Sequence, residues 1–206
     1  MHSTKQKGFT LIEMLVVTVI IIIITSIVVS SLPDFRSQKE LELTAQQVLA
    51  GLKEMQVSGI SGRSQGITEN DIITMTSVPV VGINISKLAN NYTLFRDIAN
   101  NPDSQDGVYT GGLENIEPTK DLPSRVRITK ICRKKIISGE SCHSGTDTYL
   151  AQVNITFQSP HIEAMIRSGD QSDNPPDEEY VKITFTAQGG RQKILAVWSS
   201  GRMELQ

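Results

Sequence analysis

An unbroken apolar run near the start of the chain limits what this sequence can fold into. Phe9 to Leu32 carries a single charged residue, Glu13. At about 1.5 Å per residue the run makes a helix of about 36 Å, enough to cross a hydrocarbon core of about 30 Å. Lys5 and Lys7 precede it, which predicts that this end stays cytoplasmic. A secretory signal has a shorter apolar region followed by a small-residue cleavage site. Past Val29 only Ser30-Ser31-Leu32-Pro33 approaches such a site. The better processing point is Gly8, ahead of the run, so the helix is expected to stay in the mature protein.

An acid within a membrane span costs a few kcal/mol and is usually kept for a partner. Glu13 near the helix start is also favoured by the helix dipole. Cleavage after Gly8 adds a sharper role. It creates an α-amine on Phe9, four residues before Glu13. A carboxylate and an amine that are each costly to bury alone can neutralise one another between neighbouring helices.

The stretch Gly8-Phe9-Thr10-Leu11-Ile12-Glu13-Met14-Leu15-Val16 resembles the class III signal of type IV pilins and type II secretion pseudopilins. The resemblance implies that a prepilin peptidase cuts between Gly8 and Phe9 and methylates the new amine of Phe9. It also implies that Glu13 is the glutamate used in assembly. Pilins with this signal carry very different globular domains, so the rest of the chain needs its own reading.

Among 206 residues, 20 basic and 22 acidic side chains give a formal net charge of −2, which makes no general case for nucleic-acid binding. Once leader and helix are set aside, about one ordinary domain remains. Both cysteines, Cys132 and Cys142, follow the membrane helix and would lie on the extracytoplasmic side. A disulfide is plausible there, and two buried free thiols are the alternative. Closing a loop of about eleven residues would stabilise by roughly 3 kcal/mol.

Pro33 can kink the helix or end it. Beyond it Leu41, Ala45, Val48, Leu52 and Met55 recur at spacings of four and three, which places them on one helix face. A second, amphipathic half-helix is thus expected to about Val57, ended by Gly59, Gly62 and Gly66. Beyond Gly66 the signals are those of strands: Pro79–Ile85 is a run of β-branched residues, and Val126–Cys132, Tyr149–Phe157 and Val181–Ala187 alternate with period two. Ile194–Trp198 is apolar on both faces, and Met203–Leu205 is a last short strand. Gly189-Gly190 reads as a hairpin turn. Asn90–Leu122 and Ser168–Glu179 read as long surface loops. The expected fold is α+β, a long helix packed on a meander of antiparallel strands. The divisions are a leader (1–8), a transmembrane and assembly helix (9–32), an amphipathic helix (33–58) and a β-rich domain (59–206). The end of the helix, Gly51-Leu52-Lys53-Glu54-Met55-Gln56, and the segments Ile183-Thr184-Phe185, Gly190-Arg191 and Gly201-Arg202-Met203 resemble the pseudopilin H and fimbrial biogenesis protein T family.

Candidate chemistry is sparse. Asp97, Asn100, Asn101, Asp103 and Asp106 form an oxygen-rich loop, but their spacing does not match an EF-hand. Asp170, Asp173, Asp177, Glu178 and Glu179 read as a solvated acidic loop. Cys142-His143 beside Cys132 lacks the ligand pairs of a zinc site, so no metal and no cofactor are expected. No nucleophile–His–acid set can be assembled around His161, and an enzyme is not expected. Three triplets, beginning at Asn84, Asn91 and Asn154, match the glycosylation pattern by chance.

Two readings of function remain open. In the first the chain is a minor pilin or pseudopilin subunit. Its partners are the prepilin peptidase, inner-membrane lipid and other pilin subunits, and its destination is a pilus or pseudopilus. In the second the β domain is a binding module for DNA uptake or adhesion at a pilus tip, merely delivered by the helix. Arg125, Arg127, Lys130, Arg133, Lys134 and Lys135 give the second reading what support it has, set against a plain edge strand guarded by charge.

Overall fold

The computed structural model describes residues 8–62, 80–97, 107–111, 114–136, 139–143, 151–168 and 178–206. Most of the leader, Asn100 to Asp106 of the oxygen-rich loop and Asp170 to Asp177 of the acidic loop lie outside these residues. The chain divides into two compact units, Met1–Arg36 and Ser37–Gln206.

The helix α1 runs Leu11–Ile60 with Pro33 inside it, so Pro33 does not end the helix. In the first unit the apolar side chains from Leu11 to Val29 are all exposed. A stretch this long and apolar fits a membrane span. The two threonines of this stretch turn their hydroxyls back onto the helix. Thr18 donates to the Leu15 carbonyl at 2.8 Å and Thr25 to the Ile21 carbonyl at 2.7 Å. No side-chain donor of theirs is then left facing hydrocarbon.

The second unit contains the core. The face of α1 built from Leu41, Ala45, Val48, Leu52 and Met55 is buried, as its periodicity requires. It meets two five-stranded antiparallel sheets rather than one meander. The first sheet has the order β3-β2-β1-β6-β7, from β1 (Val80–Ser86), β2 (Asn91–Asp97), β3 (Lys120–Asp121), β6 (Gln152–Phe157) and β7 (Ala164–Ser168). The second has the order β10-β9-β8-β4-β5, from β4 (Val126–Lys135), β5 (Glu140–His143), β8 (Glu178–Ala187), β9 (Gln192–Trp198) and β10 (Met203–Leu205). Ile83, Ile85, Val153, Ile155 and Phe157 of the first sheet and Val181, Ile183 and Phe185 of the second join the helix residues in one apolar cluster. Gly189 and Gly190, with φ of 111° and 81°, make the tight β8–β9 turn that a side chain would strain. Gly59 has a different reason. A Cβ there would lie 2.6 Å from Phe157 Cβ, so glycine lets the last turn of α1 close onto β6.

Asn90–Leu122 is not the surface loop its composition predicts. It contains β2 and β3, and residues 107–111 and 114–119 fold over the outer face of the first sheet. Val108 is buried there, and the Tyr109 ring packs against Phe95 with centroids 5.4 Å apart. Asn84, Asn154 and Thr156 are therefore buried although they point away from the main core. Asn84 Nδ2 donates to Asn154 Oδ1 at 2.8 Å, and the Tyr109 amide donates to the same oxygen at 3.3 Å. Two of the three glycosylation-like asparagines are spent in this way. Asn90, at φ 53°, ties the sheets together. It donates to the Val126 carbonyl at 2.9 Å and accepts from the Ile128 amide at 3.0 Å.

Candidate functional site

The residues with a sequence-level role sit at the start of α1. Gly8, Phe9 and Thr10 precede the first helical turn. Thr10 caps it: the Glu13 amide donates to Thr10 Oγ1 at 3.3 Å, and the Met14 amide to the Thr10 carbonyl at 3.3 Å. Thr10-Leu11-Ile12-Glu13 has the spacing of a capping box, a signal that sequence reading overlooked in favour of the acid alone. Glu13 thus has a local task in the first turn as well as any task between subunits. Phe9 is 79% exposed, and a Cβ at Gly8 would meet nothing within 4 Å. The fold places no demand for glycine at position 8, so a demand there must come from outside the chain.

Residues 3–29 match the family model of the prokaryotic N-terminal methylation motif. The chain carries a class III prepilin signal on a pilin-like α+β architecture. A signal of this kind supports a type IV pilin-like precursor for prepilin peptidase, and the apolar helix fits anchoring in a membrane. No curated protein and no solved structure matches the chain.

The other candidate residues fall on the second unit. Cys132 and Cys142 face each other across the β4–β5 pair with Cα atoms 4.0 Å apart, and their sulfurs form a disulfide. Glu140 joins the two sulfurs within 4.8 Å. Sulfurs bonded to each other offer no thiolate, so in this state the group presents only a carboxylate to a metal. Alkylating the native, unreduced protein should label neither cysteine. Reduction should cost roughly 3 kcal/mol in chemical denaturation. Labelling of both thiols before reduction contradicts the bridge.

The basic strand is not an edge. β4 lies between β8 and β5, and two of its cations, together with Arg125 just before it, are committed. Arg125 pairs with Glu40 at 3.8 Å, Arg133 with Glu178 at 3.2 Å and Lys134 with Glu179 at 2.7 Å.

Glu178 departs most from its reading as a solvated acid, being only 6% exposed. One carboxylate oxygen accepts from Arg133 Nη1 at 3.2 Å and from the Ser168 hydroxyl, while the other has no partner among the described residues. The cause is tertiary: the ends of β7 and β8 meet here, and no local pattern encodes that. Burial pushes the Glu178 carboxyl above its ordinary value, against the opposing pull of Ser168 and Arg133. The folded state therefore holds this proton more tightly than the unfolded chain does. The stabilisation is complete below the ordinary carboxylate range and is lost as pH rises through the raised value. Glu178→Gln should gain in Tm relative to the wild type as pH goes from acid towards neutral. A gap that stays constant across that range contradicts the assignment.

Asp97, from the oxygen-rich loop, is buried at the end of β2 and accepts the Gly107 amide at 2.7 Å. It serves as a loop anchor there.

Proposed function

We propose that the chain is a structural subunit, a minor pilin or pseudopilin, cut between Gly8 and Phe9 and methylated on the Phe9 amine. The cut protein is a single-pass protein of the inner membrane with its β domain outside the cytoplasm. It then assembles through the N-terminal half of α1 into a pilus or pseudopilus. Glu13 pairs with the amine of Phe9 during lateral docking. The observation that carries this reading is the methylation motif at residues 3–29, followed by a helix whose apolar side chains from Leu11 to Val29 are exposed. The alternative, a tip-borne binding module that grips DNA or a surface, draws on the cations of β4, and the ion pairs of Arg125, Arg133 and Lys134 weigh against it.

The test is Gly8→Val. The side chain has free space in the folded chain, so the variant should fold and insert normally. A β-branched side chain beside the scissile bond should crowd the peptidase, leaving uncut precursor in the membrane. Normal removal of residues 1–8 from Gly8→Val would refute the assigned cleavage point.

A further inference from the structure

The exposed face of the second half of α1 has an order that the buried core does not require. Leu43, Ala50 and Val57 recur every seven residues on the solvent side, and Leu43 and Val57 are 56% and 67% exposed. The flanks of this stripe differ in charge. Lys53 lies on one flank and Glu54 on the other, about 100° further round the helix. Lys53 is exposed and makes no ion pair or hydrogen bond among the described residues.

The flank of Glu54 opens into a groove of about 420 Å³ between α1 and the β2–β3 edge. Gln47, Glu54, Tyr92, Lys120 and Asp121 line it. Lys120 pairs with Glu117 and also feels Glu54, and the groove sets two carboxylates, Glu54 and Asp121, against that one cation. The Tyr92 hydroxyl has no hydrogen-bond partner among the described residues. Burial pushes that phenol up, so it stays protonated at neutral pH and can accept from an ammonium group. The groove thus offers carboxylates, a phenol oxygen and an amide oxygen, which together suit a lysine on a long apolar stem.

We propose that the groove receives Lys53 of a second copy of this chain, with the Leu43–Ala50–Val57 stripe buried between the two parallel helices. The proposal rests on the reading of the chain as an assembled subunit and names its neighbour as another copy of itself. The contact joins one flank of the helix to the other flank of the next, so it is heterologous and can propagate rather than close as a two-fold dimer. A half-buried lysine with several oxygen partners contributes more than an exposed surface pair. The apolar stripe supplies the remaining contact.

The test uses the full chain in its native membranes, made as a mixture of ¹⁴N- and ¹⁵N-labelled protein and treated with a carbodiimide that joins amines to carboxylates. The expected product is a mixed-isotope peptide pair linking Lys53 of one copy to Glu54 or Asp121 of another. Val57→Asp, which breaks the stripe but leaves Lys53, Glu54 and Asp121 in place, should lower its yield at least about fivefold. The double exchange Lys53→Glu with Glu54→Lys, which reverses both partners of the contact, should still give a mixed-isotope link between positions 53 and 54. Retention of the wild-type yield by Val57→Asp, or a link from Lys53 to a different protein, overturns the proposal. The N-terminus of the same sample is read in parallel. Cut protein that co-purifies with other subunits but gives no mixed-isotope link refutes self-docking and leaves the subunit reading intact. Protein that retains residues 1–8 refutes both.

Discussion

Chains carrying Glu13→Val are expected to be cut, to stay in the membrane and to be missing from assembled filaments. Cleavage persists because the carboxylate lies beyond the Gly8–Phe9 bond. Insertion persists because valine makes the helix more apolar. Docking fails because the Phe9 amine would be left unpaired among apolar helices, a loss of about 3–5 kcal/mol for a buried charge robbed of its partner. That is more than a hundredfold in the equilibrium constant at about 1.4 kcal/mol per tenfold. The capping geometry at Thr10 calls for a second variant, since Glu13 also sits at the third helical position of a capping box. Glu13→Gln keeps the hydrogen-bonding group that suits that position and loses only the charge. If ion pairing drives assembly, Glu13→Gln fails as Glu13→Val does. If helix capping is the requirement, Glu13→Gln assembles normally. The readout is recovery of each variant in sheared or crosslinked filaments, with its mass confirming cleavage.

The second large effect belongs to the core. Leu52 is fully buried where α1 meets both sheets. Leu52→Ala should cost about 2–5 kcal/mol, from lost transfer energy and the cavity left behind. For a domain of this size each kcal/mol lowers Tm by about 2–4 °C. Leu43 is on the same helix but exposed, and Leu43→Ala should change stability by less than about 0.5 kcal/mol. A soluble fragment beginning near Pro33 allows both to be measured by thermal melting. Equal effects at the two positions would mean that the helix does not present the face assigned to it.

That contrast also shows why the helix was legible. Leu41, Ala45, Val48, Leu52 and Met55 report their burial through spacing alone, and the signal Gly8 to Val16 reports processing through residue identity. The strands β4, β6 and β8 were legible through alternation, β1 through its run of β-branched residues and β9 through its apolar character on both faces. β2 was not, because Val108 and Tyr109 cover its outer face and Phe95 is buried there beside Thr93. With both faces buried the period-two contrast disappears. The pairing of β1 with β6 and of β4 with β8 divides the strands into two sheets. Such partners are distant in sequence, and alternation within a strand cannot name them. Glu178 was missed for the same reason, since its burial depends on Ser168 and Arg133 arriving from two other strands. The Thr10 cap was written in the sequence and needed only its three-residue spacing from Glu13 to be read.

The central claim is that this chain works as a processed pilin-like subunit held by its own retained helix. Its most direct test is the intact mass of the protein extracted from membranes and from sheared filaments. The account predicts a chain that begins at Phe9, lacks Met1 to Gly8 and carries one added methyl group, about 14 Da, on its terminal amine. A working form that still carries Met1 to Gly8, or one cut beyond Val29 and freed from its helix, would contradict it.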